Sequence, residues 1–186
     1  MSTHNHNGIW SQETAEAHHQ SSPKLAAWLA SYLPKDTPVI DFGCGIGYYV
    51  DTLQKNGFEA HGVEGTNLKF LCHIDSIVIV DLTNEIYFGF QSSVISFEVG
   101  EHLPASAQET FMQTLVNHCQ KHLILSWAEI GQPGIGHINC RSQEDVIQDV
   151  ESRGFRLNKA ATADARNNID NNTDWFRRTL LVFERV

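Results

Sequence analysis

Basic residues are scarce in this sequence of 186 residues. Thirteen lysines and arginines stand against 22 aspartates and glutamates, which gives a formal net charge of −9 at neutral pH. Proteins that grip the phosphate backbone of nucleic acids take most of their affinity from a basic surface. The sequence also has no run of like charges that suggests a basic arm. A nucleic-acid substrate is therefore unexpected.

Cysteines are few and long apolar runs are missing. The four cysteines are widely spaced and form no Cys-x-x-Cys pair: Cys44, Cys72, Cys119 and Cys140. The first ten residues are polar and lack the apolar core of a signal peptide. No stretch approaches the roughly 20 apolar residues that are needed to cross a bilayer. We expect a cytoplasmic protein with reduced thiols and no membrane insertion.

The length and the 41% hydrophobic content suit one globular domain with a sizeable core. Residues 1–33 are predicted to form an N-terminal tail and a helical region, broken at Pro23, that serves as a lid. Plain surface packing is the alternative for this region. Residues 34–186 are predicted to form the ligand-binding domain.

Short apolar runs alternate with helical patterns along the rest of the chain. Strands are predicted at 38–42, 58–63, 76–80, 93–97, 122–127 and 179–186, and helices at 48–55, 105–119 and 143–153. The segment 160–174, rich in Asn and Asp, is predicted to be a loop or a frayed helix. This alternation predicts an α/β fold with a doubly wound, mostly parallel sheet and helices on both faces.

Three glycines follow the first predicted strand and lead directly into a helix: Gly43, Gly45 and Gly47. In an open parallel sheet, ligands bind outside the carboxyl ends of the strands. Glycines let the backbone approach a ligand closely, and the helix N-terminus adds unpaired N–H groups. The loop therefore predicts a site for a dinucleotide or for S-adenosylmethionine (SAM).

Two residues favour SAM over a nicotinamide dinucleotide. The dinucleotide fingerprint Gly-x-Gly-x-x-Gly/Ala would need a small residue where this sequence has Tyr48. Asp41 precedes the glycines and places a carboxylate beside the ligand. A carboxylate suits the ammonium group of a methionine moiety and repels a pyrophosphate. An NAD(P)-dependent oxidoreductase remains the alternative.

From about residue 25 to residue 186 the sequence resembles the class I SAM-dependent methyltransferases, whose fold is Rossmann-like. Segment 41–47 looks like their first motif, which implies that five residues bind the methionine end of SAM: Asp41, Gly43, Cys44, Gly45 and Gly47. The resemblance implies that Glu64 binds the ribose hydroxyls and that Asp81 and Leu82 lie beside the adenine. The product would be S-adenosylhomocysteine (SAH).

Residues 97–104 resemble the Glu-Val-x-Glu-His-x-Pro segment of methyltransferases that act on small molecules. We predict that His102 is the general base, since a histidine pKa near 6.5 suits proton removal at neutral pH. Glu98 is predicted to act on the catalytic or the cofactor side. The alternative is that either residue only braces the pocket.

A second group of polar and aromatic residues follows the fifth predicted strand, in a loop with three glycines and a proline. The candidate substrate contacts are Trp127, Gln132, His137, Asn139 and Arg141. The alternative is that they pin the loop through hydrogen bonds. His137 and Cys140 form one pair of metal ligands, and a structural zinc site usually needs four. No metal is therefore expected.

The predicted activity is SAM-dependent transfer of a methyl group to oxygen or nitrogen of a small molecule, or of an exposed group on a sugar or lipid. The fourth predicted strand does not end in the Asn/Asp-Pro-Pro-Tyr/Phe box of enzymes that methylate amino groups of bases or glutamine amides. A non-catalytic SAM-binding partner subunit is a further alternative. The acceptor and the choice between monomer and homodimer stay open.

Overall fold

The computed structural model describes residues 7–66, 68, 74, 77–89 and 92–186. The helices are α1 Gln12–His18, α2 Pro23–Tyr32, α3 Tyr48–Lys55, α4 Gln108–His118, α5 Gln143–Ser152, α6 Lys159–Asn167 and α7 Phe176–Thr179. The strands are β1 Val39–Phe42, β2 Ala60–Glu64, β3 Ile77–Ile79, β4 Ser92–Phe97, β5 Cys119–Ser126, β6 Phe155–Leu157 and β7 Leu180–Arg185.

The seven strands form one sheet in the order β3-β2-β1-β4-β5-β7-β6. Strands β1 to β5 run parallel, and β7 lies antiparallel between β5 and β6. The predicted doubly wound, mostly parallel sheet is confirmed. From β1, the strands β2 and β3 extend the sheet in one direction, and β4 and β5 extend it in the other. The winding of the chain therefore reverses between β1 and β4. A crevice that accepts ligands forms at such a reversal.

Helices cover both faces of the sheet and give the protein two hydrophobic cores. On one face, α2, α3 and α6 pack with residues of β1, β4 and β7. On the other face, α4 and α5 pack with the alternate residues of the same strands and of β5. Leu25 and Leu29 of α2 are fully buried. Residues 23–33 therefore belong to the core packing, and only the segment before them is placed to act as a lid.

The segment predicted as a loop or a frayed helix contains a capped helix. The side chain of Asn158 accepts a hydrogen bond of 2.9 Å from the N–H of Ala161 and so caps α6 at its N-terminus. Ala161 and Ala165 bury their small side chains in the core. Asp170, beyond α6, accepts hydrogen bonds of 2.8 Å from the hydroxyl of Ser22 and from the N–H of Lys24. These contacts tie the segment to the start of α2.

Three cysteines in the described part of the chain are free thiols, namely Cys44, Cys119 and Cys140. Cys72 and the end of the irregular piece predicted after β2 lie outside the described residues. Among the helices that the structure describes, none has the length and apolar character that crossing a membrane requires.

Candidate cofactor and acceptor site

A cavity of about 370 Å³ lies at the carboxyl ends of β1 and β4, where the winding of the sheet reverses. Six of the residues predicted from the sequence as cofactor contacts line it: Asp41, Gly43, Cys44, Glu64, Leu82 and Glu98. Two predicted substrate contacts, Gln132 and His137, and the predicted base His102 line it as well. The cavity therefore joins the ends of four strands with the loop that follows β5.

The glycine loop has the backbone that its sequence requires. Gly43, Gly45 and Gly47 have φ angles of 80°, 54° and 74°, in the left-handed region that favours glycine. The N–H of Gly47 donates to the carbonyl of Cys44 over 2.9 Å, which closes the turn, and α3 begins at the next residue. Gly43 and Cys44 face the cavity, whereas Gly45 and Gly47 shape the loop behind it.

Glu64 links the end of β2 to this loop. Its Oε2 accepts a hydrogen bond of 2.8 Å from the N–H of Gly45, and its Oε1 accepts one of the same length from the N–H of Gly65. Burial raises the pKa of this carboxyl, and the backbone N–H groups oppose that rise by favouring the ionised form. The backbone N–H of Thr66 contributes as well, and the fourth lone-pair site of the carboxylate is left for a ligand hydroxyl.

Asp41 places a carboxylate deep in the wall of the cavity. Its side chain is only 2% exposed, and Oδ2 makes no hydrogen bond with any described residue. Burial and the charge of Glu64 raise the pKa of Asp41 well above its usual value. An unpaired buried carboxylate is costly unless a cation or a donor reaches it. The residue lines the cavity, so the ammonium of a bound methionine moiety fits this position.

Of the two residues predicted to lie beside the adenine, only Leu82 lines the cavity. Leu82 is buried and lines the cavity. Asp81 turns to its own loop, where Oδ1 accepts hydrogen bonds from the N–H and hydroxyl of Thr83 over 2.9 and 2.7 Å. Its Oδ2 accepts a hydrogen bond of 2.5 Å from the side chain of Asn7. The structure therefore uses Asp81 to hold the loop and the N-terminal segment, and does not place it on the cavity wall.

The N-terminal segment covers the cavity. The carbonyl of Trp10 accepts a hydrogen bond of 2.8 Å from the hydroxyl of Thr66. The centroid of the Trp10 ring lies 5.5 Å from that of His19 and 5.2 Å from that of His102. A side chain on Gly45 would overlap the His19 ring, so this ring rests directly on the glycine loop. Burial lowers the pKa of His19.

Glu98 sits on a strained backbone where β4 ends. Its φ of 54° makes it the single non-glycine residue with a positive φ among those described. The N–H of Glu98 donates to the hydroxyl of Ser126 over 2.9 Å. Its carboxylate accepts hydrogen bonds from Gln132 Nε2 at 2.9 Å and from Thr179 Oγ1 at 3.1 Å. Burial raises the pKa of Glu98, and these hydrogen bonds counteract the rise. Strain of this kind is typical of functional sites.

Glu101, His102 and His137 come together next to Glu98. The first two belong to a turn of 3-10 helix over Gly100–His102, and His137 belongs to the loop after β5. Glu101 is fully buried, and neither carboxylate oxygen has a hydrogen-bond partner among the described residues. His137 Nε2 lies 4.0 Å from Glu101 Oε1, and the two imidazole centroids are 5.1 Å apart. Burial and the nearby charge of Glu98 raise the pKa of Glu101 well above its usual range.

Three of the five predicted substrate contacts pin the loop instead of lining the cavity. Trp127 Nε1 donates to the carbonyl of Asn139 over 2.6 Å, and Asn139 Nδ2 reaches the carbonyl of Gly100 over 3.4 Å. Arg141 forms an ion pair of 2.8 Å with Asp149 of α5. These bonds hold all three side chains against the protein, and substrate contact is not proposed for them.

Part of the cavity wall was not predicted from the sequence. Outside the N-terminal segment, five aromatic residues line the cavity that were not among the predicted contacts: Tyr48, Tyr49, Phe97, Trp175 and Phe176. The ring centroids of Phe97 lie 5.1 Å from Tyr49 and 5.8 Å from Phe176. The adjacent aromatic pair just before β7 was the available signal. This pair directly follows segment 160–174, for which the sequence pattern did not distinguish a loop from a frayed helix.

Comparison with known proteins gives no sequence match and a clear match of fold. No family model and no curated protein matches the sequence. A sugar N-methyltransferase from Streptoalloteichus sp. ATCC 53650 superposes with a TM-score of 0.68 at 13% identity, over 91% of this chain and 90% of that chain. A TehB-like SAM-dependent methyltransferase from Corynebacterium glutamicum ATCC 13032 Kitasato gives 0.64 at 16% identity, with 94% of each chain covered. The fold is the Rossmann-like fold of SAM-dependent methyltransferases.

Further structures with this fold hold the cofactor or its product. Magnesium protoporphyrin IX methyltransferase from Synechocystis PCC 6803, with bound SAH, superposes with a TM-score of 0.59 at 20% identity, over 94% of this chain and 83% of that chain. The same enzyme has been solved with SAM. At these identities the likeness concerns the fold, so the activity of this chain has to be argued from its own site.

Proposed function

We propose that this protein binds SAM and transfers its methyl group to an oxygen or nitrogen atom of a small acceptor. The observation that carries the proposal is the buried, unpaired Oδ2 of Asp41 beside the glycine loop. This observation favours a ligand that carries a positive charge and places it beside Asp41, at the carboxyl end of β1. SAM carries such a charge on the ammonium of its methionine part.

The residues at this end of the cavity can hold each part of SAM. Asp41 and the glycine loop suit the methionine part, and the carboxylate of Glu64 suits a ribose hydroxyl. Leu82 offers an apolar surface to the adenine. When bound, SAM supplies an electrophilic methyl group on a sulfonium. Displacement from it needs alignment above all, which a preformed and covered cavity provides.

The other end of the cavity carries the groups that an acceptor needs. Glu98, His102 and His137 line it together with Gln132. His102 Nδ1 lies 3.3 Å from the carbonyl of Gly136, which favours the tautomer with a proton on Nδ1 and a lone pair on Nε2. Such a lone pair can take part in removing the proton of the acceptor. Catalysis by His102 with support from Glu98 is therefore part of the proposal.

The acceptor is proposed to be small. The segment around Trp10 covers the cavity, and a large acceptor would have to displace it. One structure of similar fold is described as a sugar N-methyltransferase and another as a 1,6-didemethyltoxoflavin-N1-methyltransferase, and both names denote small acceptors. The acidic net charge supports the same inference.

The two alternative functions fit the site less well. A nicotinamide dinucleotide would bring its pyrophosphate close to the buried carboxylate of Asp41, where like charges repel. A SAM-binding subunit without activity would gain nothing from a buried cluster of carboxylates and imidazoles at the far end of the cavity. Neither alternative accounts for both ends of the site.

Transfer of a radioactive methyl group from SAM to a panel of small hydroxyl and amine compounds tests the proposal. We expect at least one compound to gain the label, and Asp41→Asn to lose the transfer while remaining folded. Glu59→Gln is the matched control, because the side chain of Glu59 is 68% exposed and does not line the cavity. If no compound is labelled although the protein binds SAM, the result contradicts the proposed catalysis and favours a SAM-binding subunit without activity. If SAM does not bind, the whole proposal fails.

A further inference from the structure

Three side chains with metal-binding atoms converge at the acceptor end of the cavity. Glu101, His102 and His137 each offer one ligand atom, and these atoms lie within 4.8 Å of one another. The first two follow β4 and the third follows β5. Hydrogen bonds of 2.9 and 3.0 Å from the N–H groups of Ile138 and Asn139 to the carbonyl of Glu101 bind the two segments together. The cluster is therefore held by the fold and is not a chance contact of loose side chains.

Glu101 is buried with only weak partners for its carboxylate. It has no exposed surface, and neither oxygen makes a hydrogen bond of normal geometry, although the backbone N–H groups of Glu101 and Ala128 and the carboxyl of Glu98 lie nearby. His137 Nε2 is 4.0 Å from Oε1, which is beyond hydrogen-bond distance. Buried charged groups are paired, hydrogen-bonded or bound to a metal. A cation between these side chains would satisfy the carboxylate.

Both histidines are oriented by backbone carbonyls, as metal-binding histidines usually are. His137 Nδ1 lies 3.1 Å from the carbonyl of Gln132, and His102 Nδ1 lies 3.3 Å from that of Gly136. Each carbonyl accepts the proton on Nδ1, which leaves the lone pair of the neutral imidazole on Nε2. Two imidazoles and a carboxylate form a set of ligands that suits divalent first-row metals.

We propose that Glu101, His102 and His137 bind a divalent transition-metal cation at the acceptor end of the cavity. Glu98 lies beside the cluster and adds negative charge, while Gln132 and Thr179 hold its carboxylate in place. Three protein ligands leave coordination positions open, as in catalytic metal sites. The proposal departs from the sequence-based expectation of no metal, which considered His137 and Cys140 together with Cys44 or His102, and did not include Glu101.

The chemical role of this cation rests on the function proposed above. A bound cation makes that function more specific, because it favours an acceptor whose reacting atom is an oxygen. Once bound, the cation would lower the pKa of an acceptor hydroxyl group at its open position, and the proton would pass to solvent. The acceptor oxygen would then form the bond to the methyl carbon while the carbon–sulfur bond of SAM breaks, and SAH would leave with the electron pair. In this account His102 assists proton loss as a ligand, and it acts as the base only in the metal-free enzyme.

Cation binding can be measured without any acceptor. The full chain, without an affinity tag, is treated with a chelator and titrated with Co²⁺ in an absorption spectrometer and with Zn²⁺ in a calorimeter. We expect one cation per chain. Glu101→Gln and His137→Gln should each weaken this binding by at least about tenfold, since loss even of a group that only orients a ligand costs about 10–100-fold. Absence of stoichiometric binding by the wild type would overturn the proposal.

Two controls identify the site. His61→Gln removes a half-exposed imidazole outside the cavity and should bind the cation as the wild type does. His4→Ala combined with His6→Ala removes two imidazoles that are close together in the sequence and would compete for Co²⁺. If this double variant loses the stoichiometric binding and Glu101→Gln keeps it, the cation belongs to the tail and the proposal is wrong.

SAM titration of the same samples separates the two proposals. Glu101→Gln and His137→Gln should bind SAM with nearly unchanged affinity, which also shows that they are folded. Cation binding without SAM binding would contradict the proposed function and leave the metal site standing. SAM binding without cation binding would remove the metal site alone.

Discussion

Glu64 and Gly45 are joined by a hydrogen bond of 2.8 Å from the backbone N–H of the glycine to Oε2 of the carboxylate. The bond connects the end of β2 to the loop after β1. The residue predicted to bind the ribose thus also holds the loop that is predicted to bind the methionine part. Removal of its side chain should consequently act on the cofactor and on the loop.

Glu64→Ala should weaken SAM binding by roughly 1.5–3 kcal/mol, the usual contribution of a hydrogen bond to a charged group. The melting temperature of the ligand-free protein should fall moderately, because the backbone N–H groups of Gly45 and Gly65 lose their acceptor while both cores stay intact. Calorimetry with SAM and a thermal melt of the same sample check both values. A sharp fall in melting temperature with unchanged affinity in the folded fraction would make Glu64 a purely structural residue.

Gly45→Val should abolish SAM binding, because the new side chain would overlap the His19 ring and distort the loop. Gly57→Val is the matched control: Gly57 also has a positive φ, of 82°, but an added side chain there meets no neighbouring atom. Both variants carry comparable backbone strain of about 1–3 kcal/mol. Equal SAM affinities in the two variants would show that the space at Gly45 is irrelevant to the cofactor.

SAM binding should release a proton from Asp41. Burial and the charge of Glu64 raise the pKa of Asp41 in the free protein, so the protonated form is favoured up to the raised value. A cofactor ammonium stabilises the carboxylate and lowers that pKa again. At pH values between the two pKa values, binding heats measured in buffers with different ionisation enthalpies should therefore reveal net proton release. Asp41→Asn should eliminate the release, and an unchanged release in that variant would assign it to another group.

His102→Ala should slow methyl transfer by about 10²–10⁴-fold with nearly unchanged SAM affinity, which is the usual effect of losing a group that assists proton removal. His61→Ala should leave both quantities as in the wild type. The measurement needs the acceptor found in the labelling screen. Wild-type turnover in His102→Ala would move proton removal elsewhere, with His137 the next residue to test.

Local sequence patterns were sufficient to predict the sheet and most of the residues where β1 and β2 meet the cavity. Alternation of apolar runs with helical patterns, and glycines directly after a strand, depend on neighbouring residues only. Because parallel strands align their carboxyl ends, the sequence alone predicts Asp41, Glu64 and Leu82 at one edge of the sheet. The structure places all three on the cavity wall. The antiparallel insertion of β7 depends on long-range pairing, which such patterns do not specify.

The acceptor end depends on contacts between distant segments, and there sequence reasoning predicted less. Glu101 and His137 are 36 positions apart, and their approach follows from hydrogen bonds of the loop backbone to the carbonyl of Glu101. The same loop uses Trp127 and Arg141 for its own anchoring. The sequence does not distinguish a polar loop side chain that contacts a ligand from one that forms hydrogen bonds with the backbone of its own loop.

The central claim is that the cavity at the ends of β1 and β4 binds SAM. Calorimetric titration of the wild-type protein with SAM, SAH, NAD and NADP tests it most directly. We predict binding of one SAM or one SAH per chain, and no heat of binding from either dinucleotide. Tight binding of NAD or NADP without any response to SAM or SAH would contradict the account.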